Sequence, residues 1–268
     1  MPNDGGYLIL NIQERNALIA TNPELGKFIK KFIGAEEFLR GTQRWTIWIT
    51  NDKADEAMQS QFIRERVQKV ADIRAKSKRT ATKKLKKFPY RFGEIRYTGE
   101  KSILVPEVSS ENREYMTIGF VDNDTVISNR AFSINKGELW LFAIISSRLH
   151  MIWTKAVTGR LKTDINYSST IVYNNFPIPQ LTDVQKKNLA LKAQDVLFKR
   201  ENHTEMTLAV MYDPDKMPED LRKAHHELDL TVDRLYRYKP YENNEERLSD
   251  LFALYEKMTA HKKEKSNA

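Results

Sequence analysis

A chain of 268 residues that is 40% hydrophobic and carries 12 Phe, 11 Tyr and 4 Trp has material for one large domain or two smaller ones, each with its own core. Its composition excludes several classes. No apolar run nears the ~20 residues that cross a bilayer, Met1 to Gly6 lacks the basic start and apolar stretch of a secretory signal, and the absence of cysteine removes disulfides, thiolate metal sites and thiol catalysis. A non-membrane protein of the reducing cytoplasm is expected. The net charge of +8 is unevenly spread: Arg64 to Arg91 holds twelve basic residues against two acids, a local charge of +10, so the rest is near neutral.

Taken in chain order, Gly6 to Leu10 alternates as a strand and Asn11 caps a following helix with Leu18 and Ile19 on its apolar face. A second helix is predicted from Pro23 to Leu39, capped by Asn22 and ended by Gly41. Arg44 to Thr50 is aromatic and β-branched and reads as a strand. A long helix is predicted from Asp52 or Asp55 to about Lys87, with Ile63, Val67, Val70 and Ile73 on its buried face and Pro89 as its stop.

From Phe92 to about Ile134 short β-rich runs alternate with turn residues and read as a sheet, with strands at 94–97, 102–108, 115–121 and 125–128. Gly137 to Val157 has helical spacing with bulky apolar residues on most sides, the pattern of a buried helix ended by Gly159. The two prolines of Phe176-Pro177-Ile178-Pro179 mark a boundary. Beyond Leu181 the pattern is helical: 182–200, 218–238 with Pro218 in its first turn and Glu219 and Asp220 at its positive end, and 244–263.

Catalytic constellations are absent. No glycine-rich strand-to-helix turn, phosphate loop, His-Glu-x-x-His or Ser, His, Asp grouping stands out. His225-His226-Glu227 lacks an acid spaced to complete a metal shell and reads as structural or solvated. Pro214-Asp215 with Glu219, Asp220 and Lys223 lacks the spacing of a metal-dependent nuclease core. Asn174-Asn175-Phe176-Pro177 holds the letters of an amino-methyltransferase loop in the wrong order and reads as core and boundary. Trp45, Trp48, Trp140 and Trp153 read as core as well.

The basic segment is the positive evidence. A single-sign face at this density repels itself and is most simply neutralised by a polyanion, since each phosphate contact releases counterions. The bland alternative is a solvated helix face. Membrane-surface binding fits poorly, because after Ile73 only Leu85 supplies a large apolar residue before Phe88.

Two stretches carry a resemblance: Pro106-Glu107-Val108-Ser109-Ser110-Glu111-Asn112-Arg113, and Gly159-Arg160-Leu161-Lys162-Thr163-Asp164-Ile165-Asn166-Tyr167-Ser168 running into Val172-Tyr173-Asn174-Asn175-Phe176-Pro177. Shorter matches are Phe32 to Phe38, Ser77 to Lys83, and Met217-Pro218 through His225. Together they resemble the target-recognition region and C-terminal helices of MmeI-like, type IIL restriction-modification proteins and their YeeA-type methyltransferase relatives.

The resemblance implies a module that reads duplex DNA for a methyltransferase domain of the same parent chain. That domain would use S-adenosylmethionine for adenine-N6 transfer, with a nuclease domain in many members. The methyl-donor and catalytic motifs would lie upstream, so no cofactor, metal or catalytic residue is expected within these residues.

Family members read base pairs with pairs of side chains, and one pair falls on Lys162 and Asp164. Lysine donates to guanine O6 and N7 while aspartate accepts from cytosine N4, which suits a G·C pair in the major groove. A second pair maps onto Glu107 and Asn129. The family more often has Tyr-Arg at Ile165-Asn166 and often Arg at Glu107, so the remaining recognised sequence stays open. The bland alternative is that Lys162 and Asp164 simply pair with each other on a loop.

The expected fold is α+β: a mixed target-recognition domain over residues 1–180, then a helical C-terminal domain over 181–268. Phosphate contacts are expected from Arg74, Lys76, Lys78, Arg79, Lys83, Lys84, Arg113 and Arg160. Two other classes stay open. A basic module binding DNA nonspecifically or docking an acidic protein would show no sequence preference, and a small metal nuclease would cleave DNA with Mg²⁺ unaided.

Overall fold

The structure is a computed structural model that describes the backbone of residues 3–161 and 163–266, and the side chains within those ranges except at 160, 161 and 261–266. The first part of the chain runs β1 (Ile9–Leu10), α1 (Ile12–Thr21), β2 (Ile29–Ile33), α2 (Ala35–Arg40), β3 (Trp45–Ile47), α3 (Ala54–Ala57), α4 (Gln61–Lys76) and α5 (Thr80–Lys84). Short strands follow: β4 (Ser102–Pro106), β5 (Val108–Ser109), β6 (Gly119–Val121), β7 (Thr125–Ile127) and β8 (Ala131–Asn135). Then come α6 (Leu139–Ile145), α7 (Arg148–Val157), β9 (Gly159–Leu161) and β10 (Asp164–Asn166). The last helices are α8 (Asp183–Glu201), α9 (Leu208–Met211), α10 (Glu219–Asp233) and α11 (Asn244–Ser266). The fold is α+β.

Two compact units result, and the chain passes between them more than once. One contains residues 1–100 and 121–129, the other 101–120 and 130–268.

In the first unit a four-stranded sheet has the order β1-β3-β2-β7, antiparallel except for the parallel pair of β2 with β7, in which Phe32 lies opposite Val126. Leu8, Leu10, Phe28, Phe32, Ile47 and Ile49 of the sheet region pack with Ile63, Val67 and Val70 of α4. Asn11 caps α1 in a closed box, its side chain accepting the Glu14 amide at 2.9 Å while the Glu14 carboxylate accepts the Asn11 amide at 3.0 Å.

Two expectations are corrected here. The single helix predicted over Pro23–Leu39 is a 3-10 turn (Pro23–Phe28), then β2, then α2. Pairing on both edges of β2 overrides local helix propensity. The long helix predicted to reach Lys87 ends at Lys76. Ser60 caps its start, the hydroxyl accepting the Ile63 amide at 3.4 Å. Residues 77–91 then fold back through α5 and a 3-10 turn (Leu85–Lys87).

In the second unit β4 pairs antiparallel with β8, from Ser102 opposite Asn135 to Pro106 opposite Ala131. A second sheet has the order β5-β10-β9. The buried helix predicted over 137–157 is two helices: the Ser147 hydroxyl accepts the His150 amide at 3.2 Å and starts α7 afresh.

The helices beyond Leu181 have no core of their own. Leu189, Ala193, Val196, Leu221, Leu228, Val232 and Leu251 belong to one cluster with Ile103, Phe142, Trp153 and Phe176. Buried polar links reinforce it: Arg247 is ion-paired to Asp233 at 2.7 Å, and the Tyr115 hydroxyl donates to Asp229 at 2.9 Å. No described helix is long and apolar enough to cross a membrane.

Candidate nucleic-acid interface

β9 and β10 form a hairpin in which Leu161 pairs with Asp164, Arg160 with Ile165 and Gly159 with Asn166. The strands are joined across residues 162–163. Lys162, which carries the expected base contact, lies outside the described residues. Period-2 alternation makes the rest legible: Ile165 and Tyr167 are buried, Asp164 is half-buried and Asn166 exposed. β10 pairs in turn with β5, Ile165 opposite Ser109 and Asn166 opposite Val108.

The base of the hairpin is fixed from below. The Tyr167 amide donates to the Glu107 carbonyl at 2.8 Å, and the Tyr167 hydroxyl lies 3.1 Å from Nε2 of the fully buried His150. His150 is also packed edge-on against Phe176, ring centroids 4.6 Å apart. Burial pulls the His150 imidazole down to about 3, so the ring is neutral at ordinary pH. Trp153 donates to the Val172 carbonyl at 3.2 Å and Tyr236 to the Pro177 carbonyl at 2.9 Å, which makes Asn174 to Pro177 a core boundary as its sequence suggested.

Glu107 stands between β4 and β5, its amide donating to the Arg130 carbonyl at 3.2 Å. Its carboxylate is 3.5 Å from the Arg130 guanidinium, yet Oε2 has no hydrogen bond among the described residues. Glu107, ahead of β5, and Asp164, in β10, thus belong to one sheet region. Asn129, half-buried, belongs to the first unit, where it follows β7 and lines a small pocket with Phe32, Trp48, Phe92 and Tyr97.

Of the twelve cations of the basic segment, the arginines are mostly engaged with the protein. Arg64 donates to the carbonyls of Met58 and Gln59, Arg66 to those of Tyr7 and Ile9 and to Glu14, and Arg91 to the Asn51 side chain. Arg74 is a correction to the phosphate set. Its side chain is fully buried, with Nε donating to the Asn3 carbonyl at 2.9 Å, Nη1 to those of Leu85 and Phe88 at 3.2 and 2.9 Å, and Nη2 to that of Arg91 at 2.7 Å. Burial holds its guanidinium below its usual range, with Asp4 opposing the effect.

Arg113 is half-buried. Its guanidinium donates to Thr117 Oγ1 at 2.6 Å and the Ala209 carbonyl at 3.4 Å, inside the second unit.

Lys69 lies over the Tyr7 ring at 5.4 Å, and what remains is a display of exposed charge: Lys76, Lys78, Arg79, Lys83, Lys84, Lys86 and Lys87, seven cations within twelve residues that contain no acid. No ion pair is recorded for any of them among the described residues. The backbone of Arg160 is in β9, and its side chain lies outside the description.

Sequence reasoning missed the inward role of Arg74, and a signal was there: it continues the spacing of Ile63, Val67 and Val70 better than the exposed Ile73 does. His225 is core, 2.7 Å from the Tyr212 hydroxyl and stacked on Tyr115. The Met217 to His225 stretch is thereby explained as packing, with Leu221 and Ala224 buried beside it.

Comparison with known proteins settles the lineage. The family model for the MmeI target recognition domain matches residues 1–180 and that for the MmeI C-terminal domain residues 181–262. The chain belongs to the MmeI family. Among MmeI relatives, a protein of Bacillus subtilis (strain 168) named DNA methyltransferase A is 42% identical over 259 residues, covering 97% of this chain and 29% of the relative. A solved structure of the type IIL restriction-modification enzyme MmeI in complex with DNA superposes with a TM-score of 0.91 at 35% identity, covering 97% of this chain and 35% of that one. The chain therefore spans about a third of the length of these relatives. The MmeI boundary at residue 180 falls inside the second compact unit, whose core includes residues from both sides of it.

Proposed function

We propose that this chain is the sequence-reading part of a DNA methyltransferase of the MmeI type, which grips duplex DNA and presents a target base to a catalytic domain elsewhere in the parent polypeptide. The observation that carries the reading is the β9–β10 hairpin, whose Ile165 and Tyr167 are sunk into the core while Asp164 stays partly open at the turn. Readers of base edges need such rigid mounting, because discrimination depends on hydrogen-bond geometry.

In this reading Lys162 and Asp164 specify one G·C pair, and Glu107 with Asn129 a second. The Glu107 carboxylate is an acceptor of the kind a cytosine amino group satisfies, and taking that role requires Oε2 to leave its ion pair with the Arg130 guanidinium, 3.5 Å away. Lys76, Lys78, Arg79, Lys83, Lys84 and Arg160 supply phosphate contacts that position the protein without choosing sequence. The parent enzyme would flip its target base into the catalytic domain and methylate adenine N6 from S-adenosylmethionine, in the cytoplasm, with a nuclease domain in some relatives. Chemistry of that kind is assigned to the parent and not to these residues.

Selection from a randomised duplex library at fixed low salt tests the proposal, comparing the wild type with Lys162→Ala and Asp164→Ala. An enriched motif that relaxes at the same G·C position in both variants is the expected result. Salt-sensitive binding with no enriched motif, unchanged in both variants, would leave only a nonspecific basic module.

A further inference from the structure

The basic segment is not a flexible tail. Arg74 is the last inward-facing residue of α4 and ties together three carbonyls of the segment that returns after α5, those of Leu85, Phe88 and Arg91, and that of Asn3 at the start of the chain. Residues 75–84 are thereby closed into a loop whose two ends meet on one guanidinium. The planar fork of arginine donates in several fixed directions, which a lysine ammonium cannot reproduce across four acceptors.

The closure is reinforced locally. Phe88 stacks under the Arg91 guanidinium at 4.3 Å and packs edge-on to Tyr90, whose hydroxyl donates to Asn51 at 3.0 Å. Seven exposed cations ride on or beside this closed loop. Holding so many like charges together costs electrostatic energy in the free protein. A buried clamp is a physical means of meeting that cost before a polyanion arrives.

We propose that Arg74 is a positioning residue that pre-shapes the Lys76–Lys87 loop as a rigid phosphate-backbone grip, so that DNA binding requires little ordering of the segment. The inference rests on the DNA-binding reading and concerns how that grip is held. The slope of log K against log salt counts the phosphates engaged in the complex, about 0.9 per contact, and a loop that has lost its shape brings fewer of its cations onto the backbone at once.

The test uses the 268-residue chain and a fluorescent 20-base-pair duplex of arbitrary sequence, titrated across salt, with Arg74→Met, Arg74→Lys and the quadruple variant Lys83→Gln/Lys84→Gln/Lys86→Gln/Lys87→Gln. Arg74→Met is expected to stay folded, to bind tenfold or more weakly at low salt, and to lose about 2 to 4 units of salt slope. Arg74→Lys should recover only part of that loss.

A folded Arg74→Met chain with the wild-type slope, while the quadruple variant loses it, would overturn the positioning role and keep the DNA reading. A quadruple variant that binds as wild type would overturn the DNA reading of this segment itself. Limited trypsin digestion of the free wild type needs no variant: protection of Lys78 to Lys87 is expected, and cleavage there as fast as in an unstructured peptide would overturn the pre-shaped loop even if Arg74→Met fails to fold.

Discussion

The amide of Tyr167 donates to the carbonyl of Glu107 at 2.8 Å, which ties the strand carrying Asp164 to the residue ahead of β5. Two residues proposed to read different base pairs are therefore set by one backbone contact. The Tyr167 ring is locked by its hydroxyl, 3.1 Å from buried His150. Tyr167→Phe keeps the ring and leaves a buried imidazole nitrogen unpaired, so it should lower stability by about 1–3 kcal/mol. Tyr167→Ala, which also removes the packing, should in addition blur selectivity at both base positions together. Denaturant melts and library selection check the two parts, and loss of selectivity at one position alone would argue against a shared mounting.

Arg113 gives a contrasting expectation. Because its guanidinium serves Thr117 and Ala209 inside the second unit, Arg113→Met should cost about 1–3 kcal/mol of stability while leaving the salt slope of DNA binding unchanged. A shallower slope in the folded variant would return Arg113 to the phosphate set.

Gly34 is constrained by space. A Cβ there would lie 2.4 Å from Ser128 Oγ and 3.0 Å from Glu37 Oε2, at the point where the Ser128 amide donates to the Ile33 carbonyl at 2.8 Å. Gly34→Ala should cost about 1–3 kcal/mol, and adding Ser128→Ala should recover part of it. Thermal melts of the single and double variants measure the coupling, and additive losses would show that the crowding is relieved elsewhere.

Acid should reveal the buried groups of the second unit. Burial pulls His150 to about 3 and takes His225 well below its usual value, with the Arg200 charge adding to the effect. Both histidines ionise first in the unfolded chain, so stability is lost as pH falls below about 6.5. Asp229 acts in the opposite sense. Burial pushes it up to about 7 against the hydrogen bonds from Arg148 and Tyr115, and its proton is bound more tightly in the folded state. Its contribution is fully present below about 3.9 and lost as pH rises through 7. Asp229→Asn removes that offset, so between pH 6.5 and 4 the variant should lose stability more steeply than wild type, by up to about 1.4 kcal/mol per pH unit. Parallel curves from urea melts would contradict the raised value.

Local signals were readable where the chain decides its own structure. Asn11 and Thr182 cap their helices through closed boxes, Pro218 precedes α10, and the three helices expected beyond Leu181 begin near their expected positions, although α10 ends at Asp233 rather than Tyr238 and the short α9 was not foreseen. What escaped the sequence depends on partners distant in the chain. Residues 29–33 become a strand because β3 and β7 flank them, and α4 stops at Lys76 where Arg74 turns inward to carbonyls 11 to 17 residues further on. The hairpin bearing Asp164 is too short for periodicity to announce, and the resemblance of 159–168 singled out Asp164 without giving its strand. The count of cations was legible, but which of them face water was not, since arginine serves buried carbonyls as readily as phosphates.

β7 has a practical consequence for anyone who would cut or graft this protein. The strand belongs to the first unit although residues 101–120, of the second, separate it from Glu100. A fragment ending at Glu100 loses the neighbour of β2 and uncovers the hydrogen-bonding edge beside Lys31, Phe32 and Ile33, an invitation to pair with other molecules. Chimeras that exchange reading specificity between relatives therefore have to carry 121–129 with a matching first unit. A junction chosen by linear position alone would trade a change of specificity for aggregation.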